Sequence, residues 1–150
     1  MPLISAKDAQ LIREHFATNL TGEVRIDYFT QHQSKLVVPG QECIYCQETR
    51  QLLEEVADLS DKITLATHDF VADEALAKQM GIERIPAFVL EGAAKGRVRY
   101  FGIPSGYEFA TLVEDIVDVS RGQTDLSPKT KEALASLPGD VSIQVFVTPT

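Results

Sequence analysis

Apolar positions along the chain change period repeatedly. The changes mark out ten elements in the order helix, strand, helix, strand, helix, strand, strand, helix, helix, strand. Ile12, Phe16 and Leu20 recur at helical spacing behind Ser5 and Asp8, a pair suited to capping a helix start, and Thr21-Gly22 ends that helix. Val24 to Thr30 is rich in β-branched and aromatic residues and reads as a strand. Gln31 to Glu42 is a long polar connection carrying Leu36-Val37-Val38 and turned by Pro39-Gly40. A helix follows from about Cys43 to Leu59, then a short strand from Ile63 to Ala66. Asp73 can cap a short helix ending at Gly81. Ala87 to Leu90 and Arg97 to Phe101 flank the turn Glu91 to Gly96 and predict an antiparallel hairpin. Ser105 and Glu108 have capping-box spacing before a helix with Phe109, Leu112, Val113, Ile116 and Val117 on one side. Ser127-Pro128 opens another helix, Pro138-Gly139 breaks it, and Val141 to Val147 reads as a last strand.

Alternation of helix and strand up to the hairpin predicts an α/β fold: a mixed, partly parallel sheet with helices on both faces. A chain of 150 residues holds one domain or a little more, enough to bury a hydrophobic core. The net charge of −8, without a basic cluster, argues against nucleic acid and anionic membranes as partners, since both demand clustered Lys and Arg. No apolar run approaches the length of a membrane span. The opening Met1-Pro2-Leu3-Ile4-Ser5 turns polar at once, unlike a signal peptide, so a cytoplasmic protein is expected.

Composition adds one decisive feature: the only two cysteines stand as Cys43-Ile44-Tyr45-Cys46. Two thiols cannot staple a fold, and in a reducing compartment a close pair is either catalytic, metal-binding or inert. The metal reading lacks further ligands, because His15, His32 and His68 form no compact group in sequence; no metal is expected. At a helix start, unpaired backbone N–H groups and the helix dipole stabilise a thiolate, which is the attacking form. Helical stepping from Cys43 passes Gln47, Arg50 and Glu54, a polar stripe; from Cys46 it passes Leu53 and Ala57, an apolar one. Cys43 should therefore lean to solvent and attack, while Cys46 leans to the core and resolves. Glu42 opposes a low thiol pKa at Cys43, and Arg50, two turns away, compensates weakly.

The Cys43-Ile44-Tyr45-Cys46 motif, followed by Arg84-Ile85-Pro86-Ala87-Phe88, resembles the thioredoxin and glutaredoxin superfamily. The run Tyr100-Phe101-Gly102-Ile103-Pro104-Ser105-Gly106-Tyr107-Glu108-Phe109 is similar to one in the glutaredoxin-like protein disulfide oxidoreductases of thermophilic prokaryotes, which fuse two thioredoxin units. A similar run occurs in the N-terminal domain of the flavoprotein component of alkyl hydroperoxide reductase. The resemblance implies a thioredoxin-like fold and a protein disulfide oxidoreductase with no cofactor beyond its own redox disulfide. It also implies Cys43 and Cys46 as the catalytic pair, and a cis Ile85–Pro86 bond facing them. Ile44, Tyr45, Ile85 and Pro86 would form the substrate-binding rim. Asp27 matches a buried acid that could take the proton of the second cysteine with a raised pKa; an Asp on a strand's polar face is the other reading. The implied partners are disulfide-containing proteins and a reductant, either glutathione or a thioredoxin-reductase-like protein. Two alternatives remain: an electron relay serving one fixed partner domain, and a thiolate carrier of metal or an iron–sulfur cluster.

Against those relatives, the connection before Cys43 carries an extra piece around Ser34 to Val38, placed to cover or reshape the site. Residues 1–120 are expected to form one redox unit, and 121–150 a linker, helix and strand that would open a second unit of a longer protein. Val145 to Thr150 resembles the strand preceding a second cysteine pair. An apolar strand at Val141 to Val147 with free edges would either join the first sheet or pair with another molecule.

Overall fold

The structure, a computed structural model, describes residues 1–31 and 42–147. The expectations for His32, Ser34 to Val38, Pro39-Gly40 and Thr148 to Thr150 lie outside the described residues. The elements are α1 (Ala6–Asn19), β1 (Val24–Thr30), α2 (Cys46–Ala57), β2 (Ile63–Asp69), α3 (Glu74–Met80), β3 (Ala87–Glu91), β4 (Val98–Phe101), α4 (Tyr107–Arg121) and α5 (Pro128–Ala135). The sheet runs β2-β1-β3-β4, with β1 parallel to β2 and antiparallel to β3, and β3 antiparallel to β4.

Side-chain alternation along β1 divides the core in two. Val24, Ile26 and Tyr28 pack with Phe16 of α1, Leu53 and Val56 of α2, and Leu112 and Ile116 of α4. Phe29 faces the other way, with Ala77 and Met80 of α3, Ile82, and Ala87 and Val89 of β3. The mixed sheet with helices on both faces is thus as the sequence predicts, and the apolar stripe predicted for α4 is buried at Leu112, Val113, Ile116 and Val117.

The helix caps divide into those that form and those that do not. The Ser5 hydroxyl accepts the Asp8 N–H and donates to the Asp8 carboxylate at 2.6 Å, and Ser127 accepts the Thr130 N–H with Pro128 in the first turn. Asp73 caps nothing; its carboxylate takes the Asp69 N–H at 2.9 Å instead. Ser105 is not the cap of α4 either, because Gly106, at φ 60°, occupies that position and the helix starts one residue later than the motif requires. Gly122 closes α4 in a left-handed conformation, and a Cβ there would meet the Ala93 carbonyl oxygen at 2.7 Å.

Two strand assignments need correction. β2 extends to Asp69 rather than Ala66, because every β1 residue from Val24 to Thr30 finds a parallel partner on it. The predicted strand at Val141 to Val147 is absent. Its residues are exposed, Ile143 at 81% and Phe146 at 89%, and a strand exists only where another edge supplies its hydrogen bonds.

These exposures fix an expected contrast in stability. Ile116→Ala should cost about 2–5 kcal/mol in urea unfolding, since Ile116 is fully buried in the larger cluster. Ile143→Ser should change stability by less than about 0.5 kcal/mol.

Candidate redox site

Cys43 and Cys46 are joined as a disulfide with their Cα atoms 5.4 Å apart. The helix begins at Cys46, not Cys43, so the two intervening residues form the turn that enters it. The Cys46 N–H donates to the Cys43 carbonyl at 3.4 Å. The Thr49 N–H and the buried Thr49 hydroxyl both donate to the Tyr45 carbonyl, at 2.9 and 2.7 Å. Cys43 still sits at a helix N-terminus, where orphan N–H groups favour an anion. Cys43 is half-buried and Cys46 only 6% exposed; along the predicted stripes Gln47 and Glu54 are exposed and Arg50 half-buried, while Leu53 is buried and Ala57 half-buried. Ile44 and Tyr45 project into solvent, at 78% and 53% exposure, so neither serves the core.

The C-terminal end of β1 holds this turn. The Tyr28 hydroxyl donates to the Cys46 carbonyl at 2.6 Å, and the Gln31 side-chain oxygen accepts the Cys43 N–H at 2.9 Å. Burial pushes the Tyr28 phenol above its ordinary pKa. Sequence reading missed both residues; their signal was a polar atom at the end of a buried strand. Antiparallel pairing of Phe29 with Ala87 brings the cis Ile85–Pro86 peptide to this same end of the sheet. Pro86 is buried and Ile85 half-buried. The Gly102 N–H donates to the Pro86 carbonyl at 2.8 Å, tying on the end of β4, where Arg84 lies over the Phe101 ring.

Asp27 is fully buried on the β1 face that carries Phe29. Its carboxylate receives Arg25 through two bonds, at 2.8 and 2.7 Å, and the His68 Nε2 at 2.7 Å. Burial pushes this carboxyl up, but the hydrogen bonds and charges of Arg25 and His68 outweigh it and leave the pKa below its ordinary value. The raised pKa expected from burial alone is therefore not found, because sequence reading overlooked both hydrogen-bond partners. Ending β2 at Ala66 hid His68, whose place opposite Phe29 follows from parallel pairing. His15 lies on α1 with its Nε2 3.3 Å from Glu114, and no group of three potential metal ligands occurs among the described residues. No helix among them is long and apolar enough to cross a membrane.

A four-stranded mixed sheet, a disulfide at the entry of the helix after its central strand, and a cis-proline at the same sheet end together define a thioredoxin-like fold carrying a C-x-x-C disulfide. Particular structures share it. A protein disulfide oxidoreductase from Aeropyrum pernix matches 90% of this chain at 27% identity and a TM-score of 0.73. The alkylhydroperoxide reductase protein AhpF from Enterococcus faecalis matches 90% at 28% identity and 0.73. A separate structure of its N-terminal domain matches at 25% identity and 0.70. The chain spans 56% of the first and 61% of the other two. No family profile and no curated protein sequence matches it.

The Asp27 cluster sets an acid dependence. A carboxyl whose folded pKa lies below its unfolded value, near about 4, stabilises fully above that value and loses its contribution as pH falls below it. Asp27→Asn should lower stability at about pH 7 by about 1–3 kcal/mol and flatten its decline on acidification. Urea titrations from neutral to acidic pH check this; a native slope in the variant would show that the cluster contributes nothing.

Proposed function

We propose that this chain is a protein disulfide oxidoreductase unit in which Cys43 attacks and Cys46 resolves. The observation that carries the reading is the difference between the two sulfurs. One is half-buried at the helix entrance, next to exposed Ile44 and Tyr45; the other is buried at the first helical position. In the reduced state the Cys43 thiolate attacks a substrate disulfide. A mixed disulfide forms, the substrate S–S bond breaks, and one substrate sulfur leaves as a thiolate that takes up a proton. Cys46 then loses its proton and attacks the Cys43 sulfur, releasing the second substrate thiol and closing the Cys43–Cys46 bond. Two electrons and two protons have passed to substrate, and glutathione or a thioredoxin-reductase-like dithiol restores the pair.

Ile44, Tyr45, Ile85 and Pro86 are the proposed substrate rim. An extended backbone can pair beside Ile85-Pro86, giving affinity with little side-chain selectivity. Asp27 enters this reading as a weak base, since Arg25 and His68 favour its ionised form; a proton-acceptor role has to work against them. Both cysteines belong to the working pair, which fits a reducing, cytoplasmic setting.

A second reading, an electron relay to one neighbouring unit, draws on the exposed apolar segment 141–147 and on similar chains of greater length. In this reading 1–120 is one redox unit, and 121–150 leads into a second. Insulin reduction by the purified chain separates the two: sustained turnover with dithiothreitol supports a general reductase, and fast reduction of Cys43–Cys46 without turnover supports the relay.

Cys46→Ser should accumulate mixed disulfides with protein substrates, detected as thiol-reversible adducts by mass spectrometry, while Cys43→Ser should form few and lose reductase activity. Alkylation at limiting reagent should label Cys43 before Cys46 in the reduced protein. Preferential labelling at Cys46 would reverse the roles.

A further inference from the structure

The Cys43–Cys46 turn is gripped at both ends by side chains of one segment. Tyr28 and Gln31 stand three positions apart at the end of β1, and Cys43 and Cys46 stand three apart on the turn. The Tyr28 hydroxyl meets the Cys46 carbonyl at 2.6 Å, and the Gln31 oxygen meets the Cys43 N–H at 2.9 Å. A phenylalanine would fill the Tyr28 volume, so the buried hydroxyl is accounted for by its bond rather than by packing. The Gln31 bond joins residues 12 apart in sequence and fixes the first cysteine directly to the strand that underlies the second.

We propose that Tyr28 and Gln31 are positioning residues that clamp the two ends of the cysteine turn and so set the equilibrium between the Cys43–Cys46 disulfide and its dithiol. The proposal deepens the thiol–disulfide reading above and rests on it. Closing an internal disulfide depends on how often the two thiols lie within bonding reach. In the oxidised chain the S–S bond itself holds them together. In the dithiol only the surrounding contacts do, and Tyr28 and Gln31 attach each cysteine backbone to the centre of the sheet. Loosening either attachment widens the dithiol ensemble and leaves the disulfide covalently confined, so the balance moves toward the dithiol. The exchange balances as dithiol plus glutathione disulfide giving the internal disulfide plus two glutathione thiols.

The test measures that constant in glutathione buffers for the native chain, Tyr28→Phe and Gln31→Ala, with thermal unfolding of oxidised and reduced forms of each. Each variant should favour the dithiol by roughly two- to tenfold, the range of one ordinary hydrogen bond. Because folding and oxidation form a closed cycle, its oxidised form should lose more thermal stability than its reduced form. A purely structural role would weaken both forms equally and leave the exchange constant at the native value, which would overturn the clamp. Should Tyr28→Phe fail to fold, the exposed Gln31 decides alone, and a native constant for Gln31→Ala rejects the proposal. A native chain that does not exchange with glutathione at all would instead reject the oxidoreductase reading, and the clamp with it.

Discussion

The site depends on the burial of β1. It is hydrogen-bonded along both edges, parallel to β2 and antiparallel to β3. Apart from Arg25, each residue from Val24 to Thr30 is buried. A strand held on four sides cannot shift register without moving every apolar side chain to the wrong face. What hangs from its C-terminal end is correspondingly fixed: Tyr28 and Gln31 reach the cysteine turn, and Phe29 holds Ala87, next to the cis-proline, in register. Residues far apart in sequence meet at one sheet end because each is referred to the same strand.

That strand also carries a polar cost. Asp27 would be an isolated buried charge, and such a charge survives only when paired. Arg25 comes from the same strand and face, two residues away, while His68 comes across the sheet from β2. The His68 ring also lies against Phe29, with centroids 5.0 Å apart, so the cluster is continuous with the smaller core. The arrangement makes the face opposite α2 electrostatically satisfied, and it separates that task from the Tyr28 face that touches the cysteine turn.

Much of this was legible in the sequence, and most of the failures have a common cause. Periodicity located the nine elements present among the described residues, since each apolar spacing records a face suited to burial. The cysteine stripes predicted unequal burial of Cys43 and Cys46, and that inequality is found although Cys43 lies in the turn before the helix rather than on it. Most errors arose where the partner was distant, and the rest where the chain direction into a helix decided a cap. The length of β2 depends on pairing with β1, the caps at Asp73 and Ser105 depend on the chain direction entering the helix, and the electrostatics of Asp27 depend on His68, 41 positions away. The roles of Tyr28 and Gln31 were hidden for the same reason, because neither makes its bond within its own element.

The segment after α4 follows the same logic in reverse. α5 has a satisfied cap yet buries no residue, and 141–147 carries Val141, Ile143, Val145, Phe146 and Val147 without a strand to pair with among the described residues. Local signals suffice for a capped helix, whose bonds are internal; they cannot suffice for a strand, whose bonds are all external. Alternating β-branched residues in this state expose both apolar surface and a free backbone edge, the combination that folded proteins remove by pairing or covering. Residues 128–147 therefore take no share in the core organised by β1, because α5 buries no residue and 141–147 is exposed.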